Sequence, residues 1–82
     1  MTDYLVVGKN IKRLITKKNM TQKDLSKKAM VGEYNISCYI NGIHFPKSNI
    51  IQDIAEALEV DVAELFKPVE WGNYLKEQKW NH

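Results

Sequence analysis

An all-α fold, five helices followed by a short tail, is what this chain predicts. Three observations predict it. Apolar residues recur at i, i+3, i+4 along most of the sequence, the spacing of a helix with one buried face. Helix starts and stops of the right residue types fall between those stretches. No alternating apolar–polar run is long enough for a useful strand; Tyr4 to Val7 reads as a segment that could be extended, without a partner.

The first helix places Ile11, Leu14 and Ile15 on one side, with Lys9, Lys12, Arg13 and Lys17 around the rest of the cylinder. Asn19 ends it, because asparagine tolerates the left-handed conformation that follows many helices. Thr21 opens a second helix as N-cap, with Asp24 three positions on, a capping box with Asp in place of the preferred Glu. Leu25 and Ala29 give this helix a narrow inner face, and Ser26 and Ala29 are small enough for a close neighbour. Met30, Val31 and Gly32 form the turn.

A third helix follows over 33–40, with Ile36, Tyr39 and Ile40 inward, and Asn41–Gly42 stops it. After a loop containing Pro46, Ser48 or Asn49 starts a fourth helix. Its apolar stripe is Ile50, Ile51, Ile54, Ala55 and Leu58. Asp61 and Glu64 repeat the capping-box pattern before a short fifth helix with Val62, Leu65 and Phe66, closed by Lys67–Pro68. The tail, 69–82, holds Trp71, Tyr74, Leu75 and Trp80, apolar material with no evident place in a five-helix core.

Composition narrows the function classes. Eighty-two residues make one domain, and 44% hydrophobic content is enough for one core. With a single cysteine, Cys38, no intramolecular disulfide can form and no cysteine-based metal site exists; His44 and His82 are not in ligand-spaced pairs. No 18-residue apolar run spans a membrane, and the first ten residues do not read as a signal peptide, so a cytoplasmic protein is expected. No nucleophile–base pair, metal spacing or phosphate loop suggests an enzyme, and no cofactor is expected.

The net charge of +2 hides an asymmetry. Residues 1–50 carry nine lysines and arginines against three acids, whereas 51–82 carry three lysines against seven acids. The first half attracts polyanions and the second does not.

Within that basic half, Thr21 to Gly42 offers two short helices, a tight turn, and polar side chains at the start of the second helix. Together with the flanking helices it resembles the Cro/C1-type, XRE-like helix-turn-helix proteins that include phage repressors. The residues carrying the resemblance are Thr21-Gln22, Leu25, Ala29, Val31 and Ile36-Ser37-Cys38-Tyr39-Ile40-Asn41-Gly42. Pro46, Ile51, Ile54-Ala55, Leu58, Val60 and Leu65-Phe66 extend it, so that it covers about residues 8 to 66. The resemblance implies a compact five-helix, lambda-repressor-like DNA-binding domain over 1–68, with the helix-turn-helix at 21–42. It implies a transcriptional regulator, a repressor in the leading reading, that puts helix 33–40 into the major groove.

By the same resemblance Glu33, Tyr34, Ser37 and Cys38 would read bases, while Gln22, Lys23, Asn41 and Lys47 would hold phosphates. The partners implied are double-stranded DNA and a second copy of the chain on a palindromic operator, with Trp71, Tyr74, Leu75 and Trp80 as dimer or partner contact. The competing readings are an antitoxin binding operator DNA and a toxin protein, and a protein-interaction module that has lost DNA binding.

Three departures from the family pattern carry expectations of their own. Met30 stands where relatives have a turn glycine, so either Met30 adopts a left-handed conformation or Gly32 moves the bend. Ser26 replaces an alanine and needs a partner, most simply the carbonyl one turn back. Ile15 and Ile40 replace an Arg and a Glu that pair in many relatives, so the two isoleucines should touch.

Overall fold

The computed structural model describes residues 3–68, and within them the chain forms five α-helices: α1 (Asp3–Lys17), α2 (Gln22–Ala29), α3 (Glu33–Ile40), α4 (Ser48–Leu58) and α5 (Val62–Leu65). No strand occurs among the described residues. Trp71, Tyr74, Leu75 and Trp80, the expected dimer contacts, lie outside them.

The core is one apolar cluster to which every helix contributes. Val7, Ile11, Leu14 and Ile15 come from α1, Leu25 and Ala29 from α2, and Ile36 and Tyr39 from α3. Ile51, Ile54, Ala55 and Leu58 come from α4, and Leu65 from α5. The helix α3 packs on α1 and α2, α4 packs on α2 and α5, and α1 packs on α5. Ile15 is buried in this cluster and Ile40 lies half-buried against it, so both replacement isoleucines join the same apolar mass.

Helix α1 starts earlier than expected. Tyr4 to Val7 is helical, not extended. Val7 and Ile11 lie one turn apart on the buried face, and that burial outweighs the strand preference of the Val6–Val7 pair. Gly8 explains how close α1 can come to α3: a Cβ there would stand 2.3 Å from the carbonyl oxygen of Tyr39 and 2.7 Å from that of Ile40. The end of α3 is thus pressed backbone to backbone against α1.

The turns follow local chemistry. Asn19 takes φ 56° after α1, and Gly42 takes φ 74° after α3. Met30 itself is the left-handed residue of the reading turn, at φ 60° and ψ 43°, while Gly32 has an ordinary negative φ of −54°. The bend therefore stays at Met30. Its side chain is 90% exposed, so no burial offsets the steric cost of about 1 kcal/mol that a Cβ brings to this conformation.

Two local expectations are corrected. Asp61 precedes α5 but makes no side-chain cap bond. Glu64, its supposed partner, is drawn instead to Arg13 at 3.4 Å and Lys67 at 3.8 Å. A carboxylate within reach of two cations has a better offer than one backbone N–H. The Ser26 hydroxyl does not bond back along its helix; it donates forward to the Val31 carbonyl, closing the turn.

Asn10 locks the ends of the fold together. At 2% exposure it is the one buried polar residue among those described. Its Nδ2 donates to the carbonyls of Leu65 (2.9 Å), the last residue of α5, and Lys67 (2.8 Å), two residues beyond it. Its Oδ1 accepts from Arg13 Nε (3.2 Å) and Nη2 (3.1 Å). One side chain thereby satisfies two carbonyls that a short helix cannot satisfy itself.

Candidate nucleic-acid interface

Helix α3 buries Ile36 and Tyr39 and turns its first turn outward, where Glu33, Tyr34 and Asn35 are all exposed. Tyr34 is 75% exposed, an aromatic ring standing free of the core. Its hydroxyl is hydrogen-bonded to Cys38 one turn on, which pushes the phenol above its ordinary value of 10.0. Tyr34 offers an apolar ring and a polar tip. Glu33 is an exposed acceptor that can accept a hydrogen bond from the cytosine N4 amino group.

The helix begins at Gly32 with no side-chain cap bond. Among the described residues its first N–H groups have no acceptor, since the ladder starts only where Ile36 N–H donates to the Gly32 carbonyl at 3.0 Å.

The structure removes Cys38 from the base readers. It is 2% exposed, part of the buried side of α3, and a side chain enclosed by its own protein has no surface to offer a groove. Ser37 remains, half-buried on the outer edge. Asn35 was not anticipated at all, although its position in the first turn of α3 was a usable signal.

The Asn41 Nδ2 donates to the Ser37 carbonyl at 2.9 Å and reaches the Ser37 Oγ at 3.4 Å. The bond to the carbonyl is the short one, and the longer contact to Oγ joins two side chains at the surface. Asn41 is exposed, and in this structure its amide nitrogen bonds back along α3.

The remaining phosphate candidates keep their donors. Lys23 and Lys47 are exposed and, among the described residues, are in no ion pair. Lys47 stands immediately before α4 and Lys23 in the first turn of α2. Gln22, half-buried, is the first residue of α2. Other cations are committed: Arg13 to Asn10 and Glu64, and Lys28 to Glu59 at 3.5 Å, which ties the end of α2 to the end of α4.

The start of α2 is closed as the sequence predicts. Asp24 N–H donates to Thr21 Oγ1 at 3.0 Å, and Thr21 N–H donates to Asp24 Oδ2 at 3.0 Å. The backbone bond from Thr21 is the main reason the Asp24 carboxyl lies below its ordinary 3.8, with the Thr21 hydroxyl and the lysines at 27 and 23 adding to it.

Among the described residues no group of three His, Cys, Asp or Glu side chains could hold a metal ion, and no helix is long and apolar enough to cross a membrane.

Comparison with known proteins agrees with this geometry. The profile of a family described as a helix-turn-helix domain matches residues 8–70. The restriction-modification controller protein C.AhdI from Aeromonas hydrophila superposes with a TM-score of 0.76 at 23% identity, over 78% of this chain and 97% of its own. The hypothetical transcription factor NHTF from Neisseria gives a TM-score of 0.80 at 19% identity, over 90% of this chain and 85% of its own. The clp gene regulator ClgR from C. glutamicum gives 0.74 at 18% identity, over 79% of this chain and 84% of its own. At these identities the likeness is one of fold. No curated protein sequence matches significantly.

Proposed function

The chain belongs to the helix-turn-helix domain family, and on that premise we propose that it binds double-stranded DNA and regulates transcription, with α3 as the reading helix. The observation that carries this is the division of α3 into two sides. Ile36 and Tyr39 fix it to the core, while Glu33 and Tyr34 project from its uncapped first turn. Ser37 is the third reader. Gln22, Lys23 and Lys47 hold the phosphates on either side and set affinity more than sequence preference. Among its structural likenesses are a clp gene regulator and a hypothetical transcription factor.

Residues 1–68 form the DNA-binding domain in this reading. One such domain meets a single half-site, so repression from a palindromic operator requires two copies related by a two-fold axis. The tail, 69–82, supplies the second-copy contact through Trp71, Tyr74, Leu75 and Trp80, since aromatic side chains favour interface centres. Sedimentation at tens of micromolar is expected to give a dimer, and a monomer with and without DNA contradicts that part.

The test of DNA binding is a titration of duplex DNA across a range of salt. The affinity should fall steeply as salt rises. Lys23→Ala and Lys47→Ala should each weaken binding to all sequences and reduce the slope of log K against log salt by about 0.9, the value for one phosphate contact. A slope unchanged by both substitutions places the DNA on another face.

A further inference from the structure

We propose that Asn41 is a positioning residue that commits the Ser37 hydroxyl to donate its hydrogen bond toward the DNA, so that the base facing Ser37 must present an acceptor. The proposal rests on α3 reading DNA as set out above.

Asn41 follows the last residue of α3, one turn beyond Ser37. Its amide Nδ2 donates to the Ser37 carbonyl at 2.9 Å and reaches the Ser37 Oγ at 3.4 Å. An amide nitrogen only donates, so the serine oxygen is the acceptor in that contact. A hydroxyl has one proton and two lone pairs, and with a lone pair facing Asn41 the proton turns away from it.

The usual resting place for that proton in a helical serine is the carbonyl one turn back, here that of Glu33. Among the described residues Ser37 Oγ donates to no protein acceptor. Its proton is therefore left for a ligand, on the outer edge of a reading helix. In the major groove guanine offers N7 and O6, adenine N7 and thymine O4, whereas cytosine offers the N4 donor. Cytosine is the base that Ser37, held this way, disfavours.

Glu33 sits one turn before Ser37 on the same stripe of the helix and is acceptor-only. The stripe 33–37–41 thus presents an acceptor, then a donor fixed by the residue behind it. Without Asn41 the hydroxyl could rotate and accept as readily as donate, and the discrimination at that base would fade.

The test measures binding of wild type, Ser37→Ala, Asn41→Ala and the double variant to a series of duplexes. Each base pair of a site selected from random DNA is replaced in turn. Ser37→Ala should lose about fivefold of discrimination against cytosine at one position, the worth of one neutral hydrogen bond. Asn41→Ala should lose discrimination at that same position and leave the others intact, and the double variant should be no worse than Ser37→Ala. Asn41→Asp, which keeps the shape, should turn the hydroxyl inward to its carboxylate and make cytosine tolerated there. It serves also if the alanine variant does not fold.

A uniform loss across all duplexes with the base profile intact makes Asn41 a phosphate contact and overturns the proposal. Effects of Asn41→Ala and Ser37→Ala that simply add make it an independent reader and overturn it too. A wild-type protein that selects no DNA sequence refutes the reading of α3 itself, before any substitution is made, and the proposal with it.

Discussion

The starts of α2 and α3 are built on opposite plans. The first turn of α2 is closed on itself: Thr21 and Asp24 exchange two hydrogen bonds of 3.0 Å. The first turn of α3 begins at Gly32 and has no side-chain cap at all. One helix secures its own end with local side chains. The other relies on packing from its far side and keeps its end open. The difference teaches how a small domain can present a helix to a ligand without filling that helix's polar groups from within.

The strongest way to break the comparison is to remove the packing that substitutes for a cap on α3. Ile36→Ala empties a fully buried position and should cost about 3 kcal/mol in denaturant unfolding, the middle of the range for such truncations. A loss below 1 kcal/mol would mean that α3 is held by something other than its buried face.

The local plan of α2 is tested by Thr21→Ala, which removes one arm of the capping box. It should lower stability by about 1 kcal/mol, with the denaturant m-value unchanged. No loss would make the box ornamental to the fold.

Between the two helices, Met30→Gly should raise stability by roughly 0.5 kcal/mol. Relief of the left-handed strain exceeds the greater freedom that glycine gives the unfolded chain. A destabilised variant would show that the exposed methionine side chain contributes to the turn.

Supplying α3 with the cap it lacks sharpens the contrast. At Gly32 an added Cβ meets only the Asn35 Nδ2 at 3.6 Å, so Gly32→Ser fits without rearrangement. Its stability should rise by a few tenths of a kcal/mol (thermal unfolding resolves this), as expected when serine replaces glycine at an N-cap.

The smallest effect concerns pH. The Asp24 carboxyl lies below its unfolded value of 3.8, so its contribution is full above that value and drains away as pH falls through the depressed native value. Asp24→Asn should therefore narrow the gap to wild type only in acid, in a series of melts from neutral pH to pH 2. An equal gap at every pH would contradict a role for the charge.

Much of the fold was legible because helices write their inner faces at regular spacing. The bounds of α3, the left-handed Asn19 and Gly42, and the Thr21–Asp24 box are all local, and local signals survive in sequence. Apart from Ser26, whose acceptor lies five residues on, the failures in the fold have a common cause in distant partners. Asn10 bonds to carbonyls 55 and 57 residues away, and a carbonyl carries no residue-type signature. Glu64 has the spacing of a capping box but is taken by Arg13, 51 residues away. Tyr4 to Val7 has strand-like residues whose helix is decided by core packing.

The candidate site was legible in its position more than in its members. That α3 would be the presented helix followed from its pattern. That Cys38 faces inward, and that Asn41 turns back on Ser37, depend on the rotation of the helix about its axis and on one rotamer. Neither can be read from residue type.

The most direct measurement is selection from a random duplex pool by the wild-type protein and by Glu33→Ala and Tyr34→Ala. Wild type is expected to enrich a palindromic site, with the two variants altering base preference at defined positions within each half. Failure to enrich any sequence, or variants that lose affinity uniformly with the preference intact, would contradict the central claim that the first turn of α3 reads DNA.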